Sequence, residues 1–152
     1  MKILMVCLGN ICRSPLAHGI LREKIKLNNI NASVDSAGTS NYHIGDPPDF
    51  RMITTAKLNN IMIEDLKARQ FTTKDFYDFD IIYVMDKNNY DNVIQLAKNK
   101  EQKEKVKMIL NEITQGMNHN VPDPYYGGNK GFEEVFNMLD QATDKIIKNL
   151  LK

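Results

Sequence analysis

Residues 3–15 read ILMVCLGNICRSP, and this stretch decides the fold. The apolar run 3–6 predicts a buried strand, and Ser14 followed by Pro15 predicts the N-cap and first position of a helix. A loop that ends at a helix N-terminus directs backbone N–H groups and the positive end of the helix dipole toward its centre. The stretch therefore predicts an anion-binding loop between a strand and a helix.

Cys7 and Arg13 give this loop its chemistry. Cys7 directly follows the strand, and Arg13 closes the loop before the helix. The field of a helix N-terminus favours the thiolate form of a cysteine, and a guanidinium can bind two oxygens of one phosphate. Gly9 and Asn10 tolerate a positive φ, which a tight anion nest requires. We therefore predict a catalytic phosphate loop with Cys7 as its nucleophile.

Length and charge narrow the class of protein. The chain has 152 residues, which is typical of one domain with a normal core. Its net charge of +1 implies no strong field for nucleic acid or a membrane surface. No stretch approaches the roughly 18 apolar residues of a membrane span, and the short apolar start runs into the loop instead of forming a signal peptide. We predict a single cytoplasmic domain over residues 1–152, with no nucleic acid or membrane partner.

The two cysteines, Cys7 and Cys12, both lie in the loop, so they form no disulfide framework. Cys12 is equally well interpreted as a small buried residue or as the partner in a reversible disulfide that shields Cys7 from over-oxidation. A zinc site is disfavoured because the three histidines, His18, His43 and His119, are scattered. No metal and no other cofactor is predicted.

Strand and helix patterns alternate along the chain. This alternation predicts a parallel sheet with right-handed crossovers, and such sheets bind ligands beyond the carboxyl ends of their strands. We predict an α/β fold with three layers, in which a doubly wound, four-stranded parallel sheet of order 2-1-3-4 carries helices on both faces. The predicted strands are 2–6, 32–36, 80–85 and 106–110, and the predicted helices are 15–28, 49–59, 88–97 and 131–151.

A second segment offers a proton donor. A thiolate that displaces an ester oxygen from phosphorus expels a poor leaving group, which a general acid must protonate. Asp123 is the best candidate because it stands between two prolines and precedes Tyr125 and Tyr126. Alone, this segment is also typical of a simple Asp-Pro turn. Together with the Cys7 loop, it predicts a stiff loop that presents a general acid.

These two segments resemble the signatures of a known family, the low-molecular-weight protein tyrosine phosphatases. Residues 7–15 are similar to its N-terminal signature, and residues 123–126 are similar to its acid loop. Shorter blocks at 35–39, 45–49 and 85–86 also resemble the family, so the resemblance spans essentially the whole chain. One departure is His18, which stands where the family usually has a glutamate.

The resemblance implies a metal-independent acid phosphatase that hydrolyses phosphotyrosine and small aryl phosphates in two steps. Cys7 would form a phosphocysteine, and Asp123 would protonate the phenolate and then activate water. Arg13 and the backbone N–H groups of residues 8–13 would hold the phosphate oxygens. The implied partners are phosphotyrosine proteins, with inorganic phosphate or oxyanion inhibitors in the loop, and the implied enzyme is redox-sensitive and a monomer or weak dimer.

The resemblance also implies how the loop is supported and how the substrate is chosen. Ser14 would hydrogen-bond the Cys7 sulfur, and Asn10, helped by Ser36, would hold the strained loop. Tyrosines would rim a slot too deep for phosphoserine, although Tyr42 is also typical of an ordinary loop aromatic. The residues implied to bind substrate are Leu8, Gly9, Asn10, Ile11, Cys12, Ser14, Tyr42, Tyr125 and Tyr126.

Three alternative functions are weaker. An arsenate reductase of the same fold needs later cysteines for its disulfide relay, and this chain has none beyond the loop. The related arginine phosphatases tend to have threonine at the position of Ile11 and a single phenylalanine after the Asp-Pro pair. A phosphate-binding module would need Arg13 but would have no use for Cys7 or Asp123. The sequence therefore favours a tyrosine phosphatase.

Overall fold

A computed structural model describes residues 1–152, with the exception of the side chain of Tyr126. Its strands are β1 (Lys2–Cys7), β2 (Ser33–Gly38), β3 (Ile81–Val84) and β4 (Val106–Met108). They form a parallel four-stranded sheet of order β2-β1-β3-β4. This arrangement confirms the predicted α/β fold and the order 2-1-3-4.

The helices are α1 (Arg13–Leu27), α2 (Phe50–Leu58), α3 (Asp75–Asp78), α4 (Lys87–Leu96), α5 (Lys100–Glu104) and α6 (Asn129–Leu150). Short 3-10 turns span Ile109–Glu112 and Pro124–Tyr126. The sequence patterns did not predict α3 and α5, because helices of four or five residues are too short to show a periodic apolar face. The predicted last strand extended to residue 110, but β4 ends at Met108 because a 3-10 turn follows it.

The apolar run of β1 is continuous because both faces of the sheet are covered. Ile3 and Met5 belong to a core cluster shared with α1, α2 and α6, whereas Leu4 and Val6 belong to a cluster shared with α3 and α4. All four side chains are fully buried. A central parallel strand buried on both faces needs apolar residues at every position and not at alternate ones.

α6 is an amphipathic helix of 22 residues that packs against α1. Its buried face includes Phe132, Val135, Leu139 and Ile146. This packing places the apolar face of α6 in the core. Across the part of the chain that the structure describes, no helix combines the length and apolar character needed to cross a bilayer.

The carboxyl ends of three neighbouring strands converge where the phosphate loop was predicted. Cys7, the last residue of β1, pairs in register with Gly38, the last residue of β2. Val6 pairs with Val84, so the segment that follows β3 emerges beside the same loop. A Cβ atom at Gly38 would lie 2.7 Å from the carbonyl oxygen of Leu8, so only glycine allows β2 to pass this close beneath the loop.

Candidate active site

The loop between β1 and α1 turns through Asn10, which has a φ of 57°. An asparagine tolerates this left-handed conformation better than most residues. Its side chain is held at both ends, because Nδ2 donates to Ser14 Oγ at 2.7 Å and Oδ1 accepts from the Arg69 backbone N–H at 3.0 Å. Gly9, also expected to supply a positive φ, does not adopt one. Its lack of a Cβ instead makes room for His43, whose ring would lie 3.1 Å from such an atom.

The Cys7 sulfur lies buried at the floor of the loop, close to two polar groups. Its Sγ is 3.0 Å from Ser14 Oγ and accepts a hydrogen bond from the Asn10 backbone N–H at 3.3 Å. Because Ser14 Oγ already accepts a hydrogen bond from Asn10, its own hydrogen is left for the sulfur or for the Ala37 carbonyl at 3.4 Å. Donors that converge on one atom in this way stabilise an anion there.

The prediction that Ser14 caps the helix is wrong. α1 begins at Arg13, and its N-cap is Cys12, which makes no side-chain capping hydrogen bond. Ser14 lies inside the first turn, where its hydroxyl contacts the sulfur of Cys7. The sequence pattern placed the cap two residues late because serine before proline is a common N-cap pattern, whereas this hydroxyl is used within the loop.

Arg13 projects from the first turn of α1 into a buried polar setting. Its Nη1 donates to Asp86 Oδ2 at 2.6 Å and to the Val121 carbonyl oxygen at 2.9 Å. Burial alone would lower the pKa of Arg13, but the charge of Cys7 and the hydrogen bond to Asp86 outweigh it, and the pKa is raised. The guanidinium is therefore charged and fixed in orientation beside the sulfur.

Asp86 was recognised in the sequence only as part of a family-like block, and the structure shows that it binds Arg13. It follows β3 and is the N-cap of α4, where its Oδ1 accepts from the Asn89 backbone N–H at 2.8 Å. Its other carboxylate oxygen binds Arg13. An aspartate between a strand and a helix is a recognisable capping signal, but the contact with Arg13 depends on the pairing of β1 with β3.

The second loop brings Asp123 to the same place. Asp123 Oδ2 lies 3.7 Å from Arg13 Nη2, and Oδ1 accepts from the Tyr125 backbone N–H at 3.0 Å. Val121 anchors the start of this loop, because its N–H donates to the Met85 carbonyl at 2.8 Å and its carbonyl accepts from Arg13. The two segments singled out in the sequence thus meet across one guanidinium.

A cavity of about 100 Å³ opens between the two loops. Asn10 and Ser14 do not line it and instead support the sulfur from within the protein. The predicted rim residue Tyr126 cannot be placed, because its side chain lies outside the described residues. The lining residues are Cys7, Leu8, Gly9, Ile11, Cys12, Arg13, Tyr42, His43, Asp123 and Tyr125.

His43 is a lining residue that sequence reasoning missed. Its ring packs on Gly9, its Nδ1 lies 3.4 Å from Asp46 Oδ2, and its ring centroid is 6.5 Å from that of Tyr125. It therefore forms a wall between the phosphate loop and the acid loop. The only sequence signal was its place next to Tyr42 in a loop, because the close approach to Gly9 is a tertiary contact.

Ser36 was expected to help hold Asn10, and the structure gives its hydroxyl another neighbour. Its Oγ lies 3.0 Å from Nδ1 of His18, and both residues are buried. Among the described residues, the hydrogen bonds of the Asn10 side chain go to Ser14 and Arg69. Burial lowers the pKa of His18 to about 4, so the position where the family usually has a carboxylate is uncharged at neutral pH.

Cys12 is a buried free thiol on the wall of the cavity. Burial raises its pKa far above the ordinary value, and the negative charges of Asp49 and Cys7 raise it further. Cys12 is therefore a poor nucleophile in this reduced state. The interpretation as a buried residue describes this state, and the reversible disulfide with Cys7 stays a prediction.

The positive charge of the site comes from Arg13 and from the start of α1. Among the described side chains, no group of three or more histidine, cysteine, aspartate or glutamate residues is arranged to hold a metal ion. A buried cysteine sulfur, a guanidinium that can bind two oxygens and a carboxylate on the opposite loop form a set that suits phosphoryl transfer.

Comparison with known proteins gives matches that cover nearly the whole chain. The sequence model of the family described as low molecular weight phosphotyrosine protein phosphatase matches residues 2–152. A protein of Synechocystis sp. that carries the family's name is 44% identical, with 100% of this chain and 98% of that protein covered. A protein tyrosine phosphatase from Entamoeba histolytica superposes with a TM-score of 0.93 at 37% identity and covers 99% and 97% of the two chains. The Drosophila arginine phosphatase DARP superposes with a TM-score of 0.92 at 28% identity and covers 100% and 99%.

Proposed function

This chain belongs to the low molecular weight phosphotyrosine protein phosphatase family and is a protein-tyrosine phosphatase, and we propose that it hydrolyses phosphotyrosine through a phosphocysteine intermediate on Cys7. The observation that carries the mechanism is that Cys7, Arg13 and Asp123 line one small cavity, with Asp123 on the opposite loop. A binding module would have no use for that carboxylate.

In the first step, the Cys7 thiolate attacks phosphorus, the P–S bond forms and the P–O bond to tyrosine breaks. Protonated Asp123 gives its proton to the departing phenolate oxygen. Arg13 and the loop N–H groups hold the equatorial oxygens, and they hold them more tightly in the transition state than in the bound substrate. The donors around Cys7 are fixed before the substrate arrives, so they need little reorganisation during the reaction.

In the second step, water attacks phosphorus and gives a proton to the Asp123 carboxylate. The P–S bond breaks, inorganic phosphate forms and Cys7 leaves as a thiolate. Ser14 Oγ, 3.0 Å from the sulfur, would donate to this leaving thiolate. Arg13, whose raised pKa keeps it charged, offsets part of the phosphate charge, and the proposed mechanism assigns no step to a cofactor.

The shape of the cavity supports an aromatic substrate. Cys7 lies at the floor and is only 3% exposed, whereas Tyr42 at the mouth is 74% exposed. We place the phenyl ring of phosphotyrosine between Tyr42 and Tyr125, with Leu8 and Ile11 along its sides, and Tyr126 stays a predicted rim residue. A phosphoserine side chain is too short to bring its phosphorus from that rim to the nucleophile.

The proposal keeps the remaining expectations from the sequence. A single domain over residues 1–152 would act in the cytoplasm on phosphotyrosine proteins and would bind inorganic phosphate or other oxyanions in its loop. It would work as a monomer or weak dimer. The net charge of +1 supports a protein partner over nucleic acid or a membrane surface.

The test is phosphate release from three peptides that differ only in carrying phosphotyrosine, phosphoserine or phosphoarginine. The assay omits metal ions and uses Cys7→Ser as the blank. We expect release from the phosphotyrosine peptide alone and none with Cys7→Ser. Release mainly from phosphoarginine would keep the mechanism but contradict the substrate class, which matters because DARP shares the fold. Substantial release by Cys7→Ser would show that the nucleophile is wrong.

A further inference from the structure

Arg51 connects the two loops of the candidate site. It is the second residue of α2, and its Nε and Nη2 each donate to a different oxygen of Asp49 at 3.1 Å. Nη2 also donates to the carbonyl oxygen of Tyr125 at 2.8 Å. The guanidinium carbon lies 5.4 Å from the ring centroid of Tyr125 and 4.7 Å from that of Phe132. One side chain thus contacts α2, the acid loop and the first turns of α6.

Asp49 fastens the other end of this connection to the phosphate loop. Its backbone N–H donates to the Ile11 carbonyl at 2.8 Å, and its Oδ1 accepts from the Arg51 backbone N–H at 2.8 Å as the N-cap of α2. The side chain is only 12% exposed. Burial alone would raise the pKa of Asp49, but its hydrogen bonds with Arg51 outweigh this and the pKa is lowered. The carboxylate is therefore a charged and fixed anchor for Arg51.

Arg51 ties the acid loop to α2 on the far side of Asp123. Before Asp123, the chain is tied to the sheet by Val121. After Asp123, the hydrogen bonds from the N–H groups of Tyr125 and Gly127 stay within the loop and shape the turn, but they do not set its distance from Cys7. The bond from Arg51 to the Tyr125 carbonyl instead spans the gap between this loop and α2.

We propose that Arg51 is a positioning residue for the general acid. Through Asp49 it holds the Tyr125 backbone against the phosphate loop, and this keeps the carboxylate of Asp123, two residues earlier, over the nucleophile. The proposal rests on the proposed function, which makes Asp123 the acid. Arg51 acts through the loop and needs no contact with the substrate.

The test compares two aryl phosphates whose leaving groups differ in their need for a proton. Arg51→Ala lets the acid loop drift, so the rate falls where protonation by Asp123 matters. A displacement on the order of 1 Å can cost up to about 100-fold in rate, and we expect a loss of roughly tenfold in kcat/KM for phenyl phosphate. For 2,4-dinitrophenyl phosphate, whose leaving group departs without a proton, we expect kcat/KM to fall by only about twofold. Arg51→Lys, which keeps the charge but not the fork, is expected to fall between Arg51→Ala and the wild type.

The matched control is Arg22 on α1. Its guanidinium also binds both oxygens of an aspartate, Asp65, and one backbone carbonyl, that of Met62. Arg22→Ala removes the same kind of clamp, although a more exposed one, at a place that does not line the cavity. We expect Arg22→Ala to leave both kcat/KM values and their ratio unchanged.

A double-mutant cycle separates positioning from general damage. In an Asp123→Asn background, Arg51→Ala should cause no further loss with phenyl phosphate, because the acid that it positions is gone. If Arg51→Ala lowers kcat/KM equally in both backgrounds, or equally with both esters, Arg51 does not position the acid. The assignment of Asp123 as the acid would stand in that case. If Asp123→Asn itself shows no dependence on the leaving group, the assigned acid is wrong and the proposal fails with it. If Arg51→Ala does not fold, Arg51→Lys carries the same comparisons.

Discussion

Ser14 shows how a single residue joins the shape of the loop to its chemistry. Its hydroxyl accepts from Asn10 Nδ2, which holds the left-handed turn, and lies 3.0 Å from Cys7 Sγ. The same atom therefore supports the strained backbone and faces the reactive sulfur. A helix cap would have used this hydroxyl to accept from a backbone N–H. Because Ser14 does not cap α1, its hydroxyl can contact Asn10 and Cys7 instead.

At the same scale, His18 makes a pH-dependent contribution to stability. Its pKa is lowered by burial from 6.5 to about 4, so the folded protein holds it neutral while the unfolded chain protonates it first. The neutral imidazole's contribution to the free energy of unfolding is fully present above about pH 6.5. It is lost as the pH falls through about 4, and the loss is on the order of 3 kcal/mol. We expect urea unfolding at pH 7.5 and 4.5 to show a larger acid-induced loss for wild type than for His18→Gln.

The variant and its control isolate this one group. Glutamine does not titrate and keeps a polar group that can contact Ser36, 3.0 Å from the imidazole. His119 is exposed, so His119→Gln should lose as much stability in acid as the wild type. The same acid-induced loss in His18→Gln as in wild type would contradict the assignment.

At the scale of elements, the end of β2 sets the height of the phosphate loop. A Cβ at Gly38 would lie 2.7 Å from the Leu8 carbonyl oxygen and 3.1 Å from the Asn10 nitrogen, and neither backbone atom can rotate away. Gly38→Ala should therefore lift the loop and lower kcat/KM by roughly 10- to 100-fold, since a displacement on the order of 1 Å has such effects. Steady-state kinetics with p-nitrophenyl phosphate and thermal unfolding together measure the effect.

Gly19→Ala is the control that separates a steric clash anywhere in the fold from a clash beneath the phosphate loop. A Cβ there would press on the side chain of Ile63, between α1 and the chain after α2 and not under the loop. Gly19→Ala should lower the melting temperature without a comparable loss of kcat/KM. If the two variants lose kcat/KM in proportion to their loss of stability, the close approach of β2 to the loop has no special role.

The elements also show which parts of this protein can be predicted from its sequence. β1, the phosphate loop and α1 are encoded locally, by an apolar run followed by a glycine-containing turn and a helix start. The position of Asp123 across from the phosphate loop could be predicted because a sulfur nucleophile implies an acid nearby. His43 and Arg51 were missed because their roles depend on contacts with Gly9 and Tyr125, which only the folded chain brings together.

At the scale of the whole molecule, the site exists only in the folded sheet. β1 supplies Cys7, the end of β3 leads to Asp86, which holds Arg13, and β2 ends under the loop at Gly38. The unfolded chain has none of these groups in place. An oxyanion that binds the loop must therefore bind the native state alone, and it must stabilise the entire fold.

This linkage predicts that inorganic phosphate raises the melting temperature. At 100 times its Kd, phosphate should add about 2.7 kcal/mol to the free energy of unfolding. A domain of this size gains about 2–4 °C per kcal/mol, so we expect the melting temperature to rise by roughly 5–10 °C.

Arg13→Lys keeps a positive charge but loses the planar guanidinium that binds two oxygens, and its shift should be less than half as large. Arg22→Ala, outside the cavity, should keep the wild-type shift. Thermal unfolding in phosphate, with chloride at the same ionic strength as the reference, makes the measurement. An equal shift in all three proteins would mean that phosphate acts on the general surface and not in the loop.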